Sequence, residues 1–264
     1  MINLILSILL PKAFALVGIL LLGRILSTIE MGVVGLYISV VAVLSPLLSG
    51  RLVLFYTRAK NQEEFTKLFD AGNRISVFII LLCSPFAGLY LSNQATTTMW
   101  FVSSLIILIW LYSNHLKEAL EHTFLRSRSY RLVRNRNLVI GFFVHLLRVS
   151  AALISATGVF VSFINAITQG ILSFLYAYKN KIIDLAIFDV KKYKESLSTY
   201  LSFGFAPIVT TITQFISAFI VQAPIFLSNH FFTREETGLV AMFFFDNYIP
   251  IKSYLSGSRQ VYIC

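Results

Sequence analysis

Charge is scarce in this sequence. Only 13% of its 264 residues are charged, about half the ~25% of an ordinary soluble domain. With 57% hydrophobic residues and a mean hydropathy of +0.78, a soluble fold would leave far too much apolar surface in water. Acidic residues are scarcer than basic ones, 12 against 22, for a net charge of +10. There are two cysteines, Cys83 inside an apolar run and Cys264 at the last position, so no disulfide framework is expected. The start, MINLIL, lacks the basic residues of a cleavable signal peptide, and the run it opens is longer than a signal core. No phosphate-binding glycine loop is present, which argues against ATP-driven pumping within this chain. No paired carboxylates suggest acid–base chemistry. The expectation is therefore a protein that is not an enzyme, with no catalytic residues, no cofactor and no metal.

What is abundant is long apolar runs. They fall at 2–22, 32–50, 75–91, 98–113, 138–157, 159–178, 200–227 and 238–255. The runs are continuously apolar rather than alternating, which disfavours a spanning β-barrel. Most are long enough to cross a bilayer as helices. The stretch 138–178 is too long for one span and fits two, with a break near Gly158. Runs 75–91 and 98–113 are short and call for partner packing or tilt. The predicted fold is all-α, a polytopic transmembrane helix bundle of about eight spans embedded in a lipid bilayer.

The positive charge is unevenly placed. Links 51–74, 117–136 and 179–194 together hold sixteen Lys and Arg residues, whereas the alternate links hold two, Arg24 and Arg234. Basic loops stay in the cytoplasm, so every second link and the N-terminus are predicted to be cytoplasmic. The same logic governs "RSRSYRLVRNR" at 126–136. In isolation it suggests nucleic acid; in this setting it reads as a loop facing anionic headgroups, and no nucleic-acid partner is expected. Just before it, His115, Glu118 and His122 share one side of a helix predicted to lie at the interface. Metal ligation is conceivable there, and a solvated helix face is the default expectation.

Ionisable residues inside spans are functional candidates. Lys12 sits mid-run in "LPKAFALVGILLLGR", where a charge costs roughly 2.5–3.5 kcal/mol on insertion scales. His145 and Arg148 are three apart and so share a helix face, which continues through Gly141, Ala152 and Ser155. Asp246 lies in the eighth run. Polar stripes occur on the sixth run (Ser162, Asn165, Gln169, Ser173, Tyr176) and the seventh (Pro207, Thr210, Gln214, Ser217). Two readings stand. One is structural, with small and hydroxylated residues joining helices and the cations pairing with Asp246. The other is a cavity with cationic walls for a phosphate or pyrophosphate, since Lys12 and Arg148 face a single carboxylate. Arg24, near a helix end, could instead snorkel to the surface. All six prolines fall inside these runs, where each can bend a helix.

Two stretches resemble each other. "GRILSTIEMGVVGLYISVVAVLSPLLSGR" (23–51) and "SNHFFTREETGLVAMFFFDNYIPIKSYLSGSR" (228–259) each carry glutamate shortly before glycine, then an apolar helix with a proline, then Ser-Gly and arginine. Spans seven and eight thus read as a second copy of spans one and two, a pattern expected of repeat-built transporters. With "LPKAFALVGILLLGRILSTIEMG" (10–32) and "APIFLSNHFFTREETGLVA" (223–241), the chain resembles the O-antigen and polysaccharide flippases of the MATE-like exporter superfamily. The resemblance covers the order of spans and basic loops along the whole chain, and its motifs are loose. It implies transport of an undecaprenyl-diphosphate-linked oligosaccharide across a bacterial inner membrane, through a cationic cavity between two helical lobes. Lys12, Arg24, Arg148, His145 and Asp246 are the candidate substrate-binding residues, placed there by position and charge. A polysaccharide polymerase is a candidate partner. The resemblance departs in length: residues 1–178 would form a complete six-helix lobe and 179–264 a link with the first two helices of a second, so the chain is expected to be truncated and inactive alone.

Two rival functions remain. A cation-coupled multidrug exporter of the same superfamily would want buried carboxylates, and Asp246 is the only one within a predicted span. A membrane glycosyltransferase or polymerase would carry large external loops, and none of the predicted external links exceeds about a dozen residues.

Overall fold

The computed structural model describes residues 2–92, 97–179 and 191–242. Among the described residues every regular element is a helix: α1 (Ile2–Ile25), α2 (Thr28–Leu44), a 3-10 segment (Ser45–Arg58), α3 (Gln62–Ser92), α4 (Thr97–Arg126), α5 (Tyr130–Ile154), α6 (Gly158–Lys179), α7 (Lys191–Ser202) and α8 (Ala206–Phe231). A further helical stretch occupies 234–242. Six of these are long and apolar enough to cross a membrane: α2 with its 3-10 continuation, α3, α4, α5, α6 and α8. That is the architecture of a multi-pass membrane protein. α1 occupies the first of the eight predicted runs. The eighth begins within 234–242 and otherwise lies outside the described residues.

The two short runs are parts of longer helices. α3 and α4 have 31 and 30 residues, about 45 Å each at 1.5 Å per residue, against a hydrocarbon core of about 30 Å. Length is therefore not limiting, and 115–122 is the continuation of α4 rather than a separate interfacial helix. Helix starts are capped as the sequence allows. Asn61 Oδ1 accepts from the Glu64 amide at 2.8 Å and the Glu64 carboxylate accepts from the Lys60 amide at 2.7 Å, which satisfies backbone donors that a helix start leaves open.

The chain divides into two compact units, one of residues 1–36, 134–165 and 224–264, the other of 37–133 and 166–223. In the second unit Leu52, Val53 and Tyr56 of the 3-10 segment pack on Leu68, Phe69 and Ala71 of α3 and on Ala119 of α4. Tyr200 and Phe203, at the end of α7, close over this cluster. The chain enters it through an unusual turn. After Pro46, Leu48 is extended, and then Ser49, Gly50 and Arg51 are all left-handed, with φ of 55°, 52° and 63°. For residues with a side chain that conformation costs roughly 1–2 kcal/mol each. Contacts on its C-terminal side hold the turn. Arg51 pairs with Glu118 of α4, and Leu52, Val53 and Tyr56 anchor the far end in the core. Gly50 lies against the Tyr200 ring, where a Cβ would have no room.

In the first unit α1 packs along α5. A Cβ on Gly141 would meet Pro11 at 3.1 Å, and one on Gly18 would meet His145 Nδ1 at 3.0 Å. The Phe14 and Phe142 rings stand edge to face at 5.5 Å. Glu30, in the first turn of α2, accepts from the Gly158 amide that opens α6, so a carboxylate serves a helix N-terminus where its charge is favoured.

Candidate functional site

α5 has two contrasting faces. Phe142, Phe143, Leu146, Leu147, Leu153 and Ile154 are exposed, as befits a side turned to lipid. Arg148 and Ala152 are buried on the other side, in line with Gly141 and His145 against α1. The face read from the sequence is thus the packed one. Arg148 is 5% exposed, and its Nε finds no acceptor among the described residues. No described carboxylate forms an ion pair with it. A buried charge in that condition is expensive, and a guanidinium is the side chain chemically suited to pair with a bidentate anion.

The other predicted site residues are scattered. Lys12 is on α1 beside Pro11, which touches Gly141 of the Arg148-bearing face; its side chain lies outside what the structure describes. His145 is half-buried and packs on Gly18. Arg24 is exposed in the last turn of α1 and does not join the face. Asp246 lies outside the described residues. His145, Arg148 and Lys12 therefore lie in one unit, with Lys12 beside the Pro11–Gly141 contact and Arg148 two turns further along α5.

The polar stripe of α6 turns inward, as expected of a stripe that avoids lipid: Ser162, Asn165, Gln169 and Ser173 are all buried. Gln169 donates to Asn114 of α4, and Asn114 donates to Ser45 Oγ at 3.1 Å. These bonds make helix-joining the role of at least that part. The stripe of α8 differs. Thr210 and Ser217 bond back to the carbonyls four residues earlier, at 2.8 and 2.7 Å, and α8 is mostly exposed among the described residues. A groove of Ile109, Ile167, Gly170, Ile171, Phe174 and Leu175 between α4 and α6 is wholly apolar and offers a phosphate nothing.

Sequence reasoning missed a polar cluster in the second unit. His115 was expected on a solvated face, yet it is fully buried, with Nδ1 at 2.9 Å from Ser76 Oγ and Nε2 at 2.6 Å from Asn73 Oδ1. Glu118 pairs with Arg51 instead of joining the histidines around a metal. Arg74, counted as part of a basic link, is buried and donates to Ser196 of α7 at 3.1 Å. In the first unit, Arg136 is also fully buried and donates to Asn137 Oδ1 at 2.7 Å. One signal was available: Leu116, Ala119, Leu120 and Phe124 continue the helical apolar spacing past residue 113, which marks a packed face.

Against known proteins, no family model, no curated protein and no solved structure matches this chain.

Proposed function

We propose that this protein is a carrier that moves a lipid-linked oligosaccharide, held by its diphosphate, across a bacterial inner membrane. The observation that carries the reading is Arg148, a buried guanidinium with no described counter-charge, on the packed side of a helix whose other side is apolar and exposed. A diphosphate supplies the missing charge and matches the fork geometry of arginine. Lys12 and Asp246 would complete the wall, with His145 beside Arg148. The eight-span topology with a cytoplasmic N-terminus, and the division into lobes at 1–178 and 179–264, belong to this proposal. The rival exporter needs a free buried carboxylate; among the described residues Glu118 and Glu30 are each engaged, by Arg51 and by the Gly158 amide, and Asp246 lies outside them. The test is made in cells that depend on the protein for surface polysaccharide. Arg148→Ala cuts surface polymer at least tenfold at unchanged protein level, and Arg148→Lys keeps part of it. Normal polymer from Arg148→Ala removes the residue from the site, and a loss of polymer matched by loss of protein assigns it a structural role.

A further inference from the structure

The two resembling stretches meet. Ser27, Thr28, Glu30 and Gly32 in the first correspond, at one constant interval along the chain, to Thr233, Arg234, Glu236 and Gly238 in the second. A Cβ on Gly32 would stand 2.8 Å from the Arg234 carbonyl oxygen and 3.0 Å from the Gly238 nitrogen. A Cβ on Gly238 would overlap the Thr28 carbonyl. Each glycine thus faces the carbonyl four residues before the other. This reciprocity, residue i on j and j on i, is the mark of a two-fold contact, here between two segments of one chain. Only glycine allows backbones to come this close.

The local chemistry repeats with the geometry. Glu30 N donates to Ser27 Oγ at 3.3 Å, and Glu236 N donates to Thr233 Oγ1 at 3.3 Å. Both turns are therefore capped at matching positions. In the second copy the Glu236 carboxylate also accepts from the Thr233 amide and hydroxyl, both at 2.9 Å, which completes a capping box. In the first copy the Glu30 carboxylate accepts from Gly158 instead. The copies share a fold and a contact, and differ in where one carboxylate is spent.

We infer that the Gly32–Gly238 crossing is the self-complementary surface by which the two repeats dock, and that it is a seam which parts when the carrier opens on that side. The second half of this inference rests on the carrier reading; the first does not. Two glycine backbones without interlocking side chains make a contact that separates without repacking a core.

The test uses the protein with Cys83 and Cys264 replaced by serine and a single cysteine at Thr28→Cys, labelled in membranes with an impermeant maleimide. Gly238→Ala wedges the seam, and labelling rises at least threefold, while a control cysteine at Thr97→Cys labels at an unchanged rate. Gly32→Ala, whose clash is milder, gives a smaller rise. Because both wedges act on one contact, the double variant labels no faster than Gly238→Ala alone. Additive effects, or an unchanged rate in the folded Gly32→Ala protein, overturn the two-fold contact. A Thr28→Cys/Arg234→Cys pair joined by a short bifunctional maleimide then stops surface polysaccharide at constant protein level. Failure to join the pair overturns the contact, and undiminished export by joined protein overturns the seam. An unmodified parent that exports nothing sinks the carrier reading alone, since the labelling result does not depend on transport.

Discussion

Arg51 and Arg148 both stand on apolar segments and are largely buried, and among the described residues only Arg51 pairs with a carboxylate. Glu118 reaches it from α4, and nearby Arg74 has Ser196 and His115 has both Asn73 and Ser76. Around the 3-10 segment each buried arginine has a polar partner, although Ser49 Oγ, Tyr56 Oη and the Nε atoms of Arg51 and Arg74 find none among the described residues. On the packed face of α5, Arg148 pairs with no carboxylate among the described residues, and its Nε finds no acceptor there. A matched buried pair holds a structure together, whereas a buried charge without a described partner is where the proposed function puts its anion. Under the proposed function the two regions carry the same residue type for different purposes.

That contrast is broken most sharply at Glu118. Glu118→Leu leaves Arg51 uncompensated beside a strained turn and costs about 3 kcal/mol, the low end for a broken buried pair because the glutamate side chain keeps 28% exposure. Thermal unfolding in detergent reads the loss, and adding Arg51→Met recovers most of it. Arg148→Met, by the same measurement, leaves the unfolding temperature unchanged or higher, since no described partner is lost. A drop as large as that of Glu118→Leu would place Arg148 with the structural arginines.

A smaller effect is expected at His115. His115→Ala removes the shared partner of Asn73 and Ser76 and costs about 1–3 kcal/mol for buried groups left unsatisfied. Added zinc leaves the unfolding temperature unchanged in both proteins, as a structural hydrogen-bonding role requires.

The smallest effect is at Glu236. The Thr233 amide, and then its hydroxyl, hold this carboxyl below the usual glutamate value. A depressed folded-state value adds stability above the ordinary glutamate pKa of about 4.3, and that stability is lost as pH falls through the folded value. Unfolding temperature measured from pH 6 downward shows a slightly shallower acid decline in Glu236→Gln than in the parent.

Much of this was legible in the sequence. Apolar run length gave the helices, three-residue spacing put His145 and Arg148 on one face, and the Ser/Asn/Gln stripe of α6 is buried as its composition implied. The repeat was visible as Glu-before-Gly at 30–32 and 236–238, although nothing in the letters said that the two glycines touch. What escaped was tertiary pairing. Counting Arg51 and Arg74 as members of a basic link treats each charge alone, and their partners, Glu118 and Ser196, lie far along the chain. The left-handed Ser49–Gly50–Arg51 turn escaped because two of its three residues are types that ordinarily avoid that conformation.

The first unit is assembled from three separated pieces of chain, and this sets an order of events during synthesis. Residues 37–133 must be made before α5 can join α1, and α8 must emerge before Gly238 can reach Gly32. At 5–20 residues per second, the second glycine leaves the ribosome roughly 10–40 s after the first. Throughout that interval the backbone around Gly32 is already in the membrane without the surface it fits. A newborn chain therefore carries its first glycine turn uncovered until the later copy arrives to pack on it.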